Sequence, residues 1–316
     1  MALQEAHSEA EVDEAYVDLG GRTLAIDVTG DPDGYPIFLM HGTPGSKSGP
    51  KPRPIVLHRM GIKLISYDRP GYGGSDPLHE RSVADAAKDV EAIADHLRIE
   101  KFAVVGRSGG GPHALACAAI LHERVTSAAA LVCFAPADAA DLDWYEGMAE
   151  QNVSDYMRAD NELCDLIQDI KKRAYDMQDD PESLVNFIRS SLCTLDERVV
   201  NDRALRKLIK GSYRVAVRQG PIGWIDDTYA LRTPWGFRLG DIACPVLLWH
   251  GEKDRLAPRS HTLWLGKQIL RARVWIEPEA GHFAAVEILP EVLASLTDPE
   301  TLALTDAVDR VHARAQ

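Results

Sequence analysis

Phe102-Ala103-Val104-Val105-Gly106-Arg107-Ser108-Gly109-Gly110-Gly111-Pro112-His113-Ala114-Leu115-Ala116 sets the architecture of this chain. The apolar run Phe102 to Val105 predicts a buried strand, and the small-residue run from Pro112 predicts a helix. Between them a serine stands at the apex of a tight turn, in the GxSxG pattern Gly106-Arg107-Ser108-Gly109-Gly110. A serine there is forced into a strained conformation that points its oxygen out of the fold. Glycines flank it because a Cβ at either flank would crowd the turn. The bare pattern arises by chance, but between a strand and a helix it points to a nucleophilic serine. The competing reading, a glycine-rich phosphate loop, lacks its GxGxxG or GxxxxGK[ST] spacing.

Strand and helix patterns alternate on both sides of this unit. Residues 15–19 and 22–28 read as two strands joined by Gly20-Gly21, a hairpin signal. Further strands are expected at 36–40, 62–67, 128–134, 245–249 and 274–276, and helices at 82–97 (capped by Ser82), 112–122, 261–270 and 288–296. Such alternation predicts an α/β fold with a mostly parallel sheet covered on both faces. The stretch 136–235 breaks the rhythm, with helical patterns at 141–157, 162–177, 181–192 and 196–215. It is expected to be an inserted helical cap above the site. The core is then 15–135 with 236–316, after a flexible tail at 1–14; 297–316 is expected to end in a helix.

The 316 residues suffice for one large domain with an insertion, and 45% hydrophobic residues allow a full core. A net charge of −13 argues against nucleic acid and anionic membrane as main partners. The five cysteines have no CxxC spacing and read as buried free thiols of a cytoplasmic protein. No apolar run is long enough to span a bilayer, residues 1–14 lack the features of a signal peptide, and no cluster has metal-ligand spacing, so neither metal nor cofactor is expected.

A serine hydroxyl needs a base to take its proton and a third group to orient that base. Two later strand ends supply candidates: Asp254 in Gly251-Glu252-Lys253-Asp254-Arg255, with Glu252 as the rival acid, and His282 in Ala280-Gly281-His282-Phe283. In a parallel sheet such loops emerge at one edge. His41 and Asp68 read as loop-fastening residues, and His41 is also a candidate substrate contact. Arg107 either lines the site or pairs with an acid. Phe134, Trp144, Tyr145, Tyr156, Trp224, Tyr229 and Trp235 are candidates for a pocket under the cap.

HGTPGS (41–46), YDRPGYGGSD (67–76), VGRSGGG (105–111), HGEKDRLAP (250–258) and AGHF (280–283) occur in an order that resembles the α/β-hydrolase family with a helical cap. The resemblance implies an oxyanion hole at the backbone N–H groups of Thr43 and Gly109. It implies a serine hydrolase acting on a small-molecule acyl substrate, a carboxylic ester by default. HGTPGS is similar to the HGGPG of proline iminopeptidases, except that Thr43 replaces the second glycine. An amide hydrolase of that kind is the alternative, as are a lyase or cyclase and a ligand receptor on the same fold. Self-association into a homo-oligomer stays open.

Overall fold

Strand patterns that are apolar throughout are satisfied only by burial on both faces, and the sheet is covered accordingly. The computed structural model describes residues 15–304. Among them β1 (Ala15–Asp18), β2 (Thr23–Gly30), β3 (Tyr35–Met40), β4 (Ile62–Tyr67), β5 (Phe102–Arg107), β6 (Val125–Leu131), β7 (Val246–Gly251) and β8 (Ala272–Glu277) form one sheet. Its order is β1-β2-β4-β3-β5-β6-β7-β8. β1 and β2 pair antiparallel, β2 meets β4 antiparallel, and every pairing from β4 to β8 is parallel. The expected tail at 1–14 and the final part of the expected C-terminal helix lie outside the described residues.

Three helices lie between the early strands: α1 (Pro54–Arg59), α2 (Asp85–His96) and α3 (Gly110–Ile120). Between β6 and β7 come α4 (Glu150–Asn161), α5 (Leu163–Asp179), α6 (Ser183–Ile188), α7 (Thr194–Asn201), α8 (Arg203–Ala216) and α9 (Ile222–Arg232). The chain closes with α10 (Arg259–Gln268), α11 (Ala284–Glu287), α12 (Leu289–Leu296) and α13 (Pro299–Leu304).

Period-two alternation splits the core into two layers. Phe102, Val104, Ala128, Ala130, Val246 and Leu248 face one side, where Val90 and Ile93 of α2, Leu115 of α3 and Leu265 of α10 complete the cluster. Ala103, Val105, Ala129, Leu131, Leu247 and Trp249 face the other, against Leu57 of α1 and Leu289, Val292, Leu293 and Leu296 of α12. The helices α4 to α9 make their own apolar clusters. Leu166, Ile170, Ala174 and Met177 form a helical stripe on α5 that packs with Trp224 of α9 and with Tyr72 from the loop after β4.

Several boundaries differ from the sequence expectation. Ser82 does not cap α2 by accepting. Its N–H and Oγ donate to the Asp85 carboxylate at 2.8 and 2.9 Å, the charged oxygen being the stronger acceptor. β6 ends at Leu131 rather than 134 because Val132 takes a positive φ of 47°. The expected helix from 141 begins only at Glu150, after positive-φ turns at Asp141 and Gly147. The expected helix 196–215 is two helices. The Asp202 carboxylate accepts from the N–H groups of Ala204 and Leu205 at 3.0 and 2.9 Å and so starts α8 afresh. α1 and α9 were not expected at all.

β3 has β4 on one side and β5 on the other. The connections leaving β3 and β5 therefore diverge, and a crevice opens at their carboxyl ends. The HGTPGS loop and the Ser108 turn both stand there.

Candidate active site

Ser108 follows β5 directly and holds φ at 52°. Its N–H donates to Leu131 O at 2.8 Å, and Gly111 N–H donates to its carbonyl at 2.8 Å, so the strained residue is held from both sides. A Cβ on Gly106 would lie 2.1 Å from Gly110 O, and one on Gly110 would lie 2.5 Å from the carbonyls of Met40 and His41. Only glycine lets strand, turn and helix approach this closely.

Asp254 and His282 meet at the ends of β7 and β8. His282 Nδ1 lies 2.7 Å from Asp254 Oδ2, while Oδ1 accepts from the N–H groups of Leu256 and Ala257 at 2.8 and 3.1 Å. A carboxylate cannot donate, so Nδ1 carries the proton and Nε2 of the neutral ring is left as a base. Burial alone would lower the His282 pKa, but the Asp254 charge and hydrogen bond outweigh it and raise the imidazole above its ordinary value. Burial would likewise raise Asp254. The His282 charge and the hydrogen bonds from His250 and His282 hold it far below the usual carboxylate range. His250 Nε2 lies 3.3 Å from the same Oδ2 and 2.6 Å from Ala257 O, and its Nδ1 lies 2.7 Å from Thr262 Oγ1. A second imidazole thus braces the acid from behind. The rival acid, Glu252, is partly exposed and pairs with Arg259 at 2.8 Å.

Ser108 and His282 line one cavity of about 220 Å³, beneath α4, α5, α6, α8 and α9. His41, Arg107, Phe134, Tyr156 and Trp224 line it too. Trp144 and Tyr145 do not. Trp144 stacks behind Phe134 with ring centroids 5.7 Å apart, and Tyr145 bonds to Asp160 at 3.2 Å. Tyr229 is solvent-exposed, and Trp235 packs on Phe237 in the core. Thr43 and Gly109 are neighbours: a Cβ on Gly109 would lie 3.3 Å from Thr43 N and 2.2 Å from Thr43 Oγ1. His113 Nδ1 is 2.7 Å from Gly109 O and fixes that peptide's orientation.

The sequence profile described as alpha/beta hydrolase fold matches residues 35–287. The chain belongs to the α/β hydrolase fold family. Over 149 residues it is 32% identical to a proline iminopeptidase of Arabidopsis thaliana, a match covering 46% of this chain and 38% of that protein. The chain therefore spans well under half the length of that relative. It is 26% identical to a 2-hydroxy-6-oxononadienedioate/2-hydroxy-6-oxononatrienedioate hydrolase of Klebsiella pneumoniae, covering 86% of this chain and 89% of the other. In fold it resembles the enol-lactonase of Burkholderia xenovorans LB400, with a TM-score of 0.67, 20% identity and coverage of 90% and 99%.

Two carboxylates that sequence reading missed fasten the loops of the candidate site in this α/β hydrolase. Asp227 of α9 is fully buried and receives Arg69 Nη2 at 2.5 Å, Arg81 Nη2 at 2.6 Å, Thr43 Oγ1 at 2.6 Å and Tyr72 OH at 2.9 Å. Burial would raise its pKa, but Arg69 and Arg81 hold it well below the carboxylate range. Arg69 also donates to His41 O, to Gly42 O at 3.1 Å and to Thr43 Oγ1 at 3.1 Å, so one guanidinium clamps the loop after β3. His41 accepts from Arg69 N–H at 3.2 Å and bonds Gly42 O at 2.8 Å, which fixes it as a neutral loop fastener. Asp68 fastens the adjacent turn through Lys47 and the Gly74 N–H. The second missed carboxylate, Asp196 of α7, accepts from the N–H of Phe283 at 2.7 Å.

Among the described residues, no His/Cys/Asp/Glu group could hold a metal ion, and no helix is long and apolar enough to cross a membrane. All five cysteines are free thiols; Cys117, Cys133 and Cys244 are buried as expected, but Cys164 is exposed and Cys193 only half-buried, both lying on the helical segment between β6 and β7.

Proposed function

We propose that the protein is a serine hydrolase that cleaves a small acyl substrate, a carboxylic ester by default, through an acyl-enzyme. Ser108 attacks the carbonyl carbon while His282 Nε2 takes its proton. Asp254 keeps His282 in the right tautomer and stabilises the imidazolium. The N–H groups of Thr43 and Gly109 receive the developing oxyanion; losing one such donor costs roughly 100- to 1000-fold in rate. His282 then protonates the leaving group and activates the water that releases the acid. The helices between β6 and β7 serve as a cap over the cavity, and the protein works in the cytoplasm on a diffusible substrate.

The reading rests on one observation: a strained serine and an imidazole anchored on a buried carboxylate line the same cavity. The iminopeptidase alternative draws on the partial likeness to the Arabidopsis protein. It requires a free carboxylate for the substrate's amino group. Asp155, which lines the cavity, is engaged by both terminal nitrogens of Arg173 at 2.5 and 3.1 Å.

A fluorophosphonate probe should label Ser108 and no other serine, and Ser108→Ala should remove turnover of p-nitrophenyl butyrate while leaving the fold intact. Full activity in that variant ends the proposal. Faster release from proline p-nitroanilide than from the ester would favour the iminopeptidase, and ligand-induced stabilisation without turnover would favour a receptor.

A further inference from the structure

Arg107 stands immediately before Ser108 and lines the same cavity. It is 8% exposed, and its Nε is buried without a hydrogen-bond partner. Among the described residues no carboxylate pairs with it. Its neighbours are backbone, hydroxyl and phenol: a Cβ on Gly49 would lie 3.4 Å from Arg107 Nη2 and equally far from Ser212 Oγ, and the Tyr213 phenol bears on its charge. Burial lowers the guanidinium pKa to about 10, so it remains charged at neutral pH.

The carboxylate, the second guanidinium and the imidazoles that line the cavity are already matched or neutral. Asp155 pairs with Arg173, His41 is neutral, and His282 leans on Asp254. An unpaired buried charge is among the costliest arrangements a fold can hold. A guanidinium offers a rigid fork of donors that fits a planar carboxylate through two parallel hydrogen bonds.

Resting on the serine-hydrolase reading, we propose that Arg107 is the docking point for a carboxylate carried by the substrate, so the natural substrates are esters or lactones bearing a free acid group. One unit of positive charge matches one carboxylate. A phosphate dianion would leave excess negative charge, with no second free cation lining the cavity among the described residues. Arg107 is the residue before Ser108 and lines the cavity shared by Ser108 and His282, which places the bound acid group near the reacting centre.

The test compares kcat/KM by pH-stat for two pairs. Monomethyl glutarate against methyl pentanoate puts the acid on the acyl side. 4-Acetoxybutanoate against butyl acetate puts it on the alcohol side. The wild-type protein should favour the acid-bearing member of one pair by roughly 10- to 100-fold, the range expected of a charge-assisted bond. Arg107→Met should abolish that ratio, and Arg107→Lys should keep part of it. Equal rates within both pairs, or a ratio that survives Arg107→Met, would overturn the assignment. Should the Met variant fail to fold, the wild-type ratios and the Lys variant still decide. If all four esters are inert and Ser108 escapes the fluorophosphonate, the hydrolase reading has failed instead. Calorimetry with glutarate on wild-type and Arg107→Lys protein then settles the arginine: tighter binding by the wild type supports the docking role, and no binding to either refutes it.

Discussion

Thr43 donates its hydroxyl to Asp227 at 2.6 Å, joining the loop after β3 to helix α9. The same carboxylate pairs with both Arg69 and Arg81, all three groups being buried. Removing one partner of such a cluster strands the others in a low-dielectric interior. Asp227→Ala is expected to lower stability by about 3–5 kcal/mol, read by urea unfolding. Asp227→Asn keeps the volume and should lose less. Wild-type stability in the alanine variant would refute this role for the cluster.

Asp196 holds the residue after His282 by accepting from its N–H at 2.7 Å. A Cβ on Gly281 would lie 2.4 Å from its carboxylate, so the contact is already close. Asp196→Ala should lower kcat by roughly 10- to 100-fold, in line with the loss of precise positioning. Asp196→Asn retains an acceptor and should retain most of that kcat. Its charge also raises the His282 pKa, so the Asn variant should titrate at lower pH. An unmoved titration midpoint would remove the electrostatic part of this account.

The pH profile has a definite sign. His282 acts as a base only when neutral, and its pKa lies above the ordinary 6.5. Activity should therefore fall as pH decreases through a midpoint above 6.5, seen in kcat/KM on a neutral ester. A midpoint well below 6.5 would contradict the Asp254 coupling.

Asp254→Asn tests the orienting acid directly. The amide cannot stabilise the imidazolium and favours the wrong tautomer, so kcat should drop by roughly 10⁴-fold. Glu252→Gln touches a surface pair with Arg259 and should change kcat little. The reverse ranking would move the acid to Glu252.

Much of the site was legible because its residues follow apolar strands that announce themselves locally. Ser108, Asp254 and His282 each come a few residues after such a run, and parallel strands deliver their ends to one edge. Asp227 and Asp196 gave no comparable signal. Asp227 stands beside Asp226 on an acidic, aromatic helix, and nothing local shows which of the two turns inward. Asp196 reads as an ordinary first-turn acid of α7, where a carboxylate is favourable without any partner. Arg69 was visible inside YDRPGYGGSD, but its clamp on residues 41–43 depends on a loop distant in sequence. The aromatic candidates divided for the same reason. Phe134, Tyr156 and Trp224 reach the cavity, whereas Trp144 fills the layer behind Phe134, a choice set by packing rather than composition. Boundaries slipped where single residues intervened, as at Asp202 and Val132.

The two carboxylates of the inserted helices have a consequence for how this enzyme can diversify. One anchors the loop of the proposed oxyanion hole and the other the loop of the proposed base, so α7 and α9 cannot swing away without dismantling the reaction centre. Substitutions that shift α7 or α9 should therefore cost activity even where they touch no substrate.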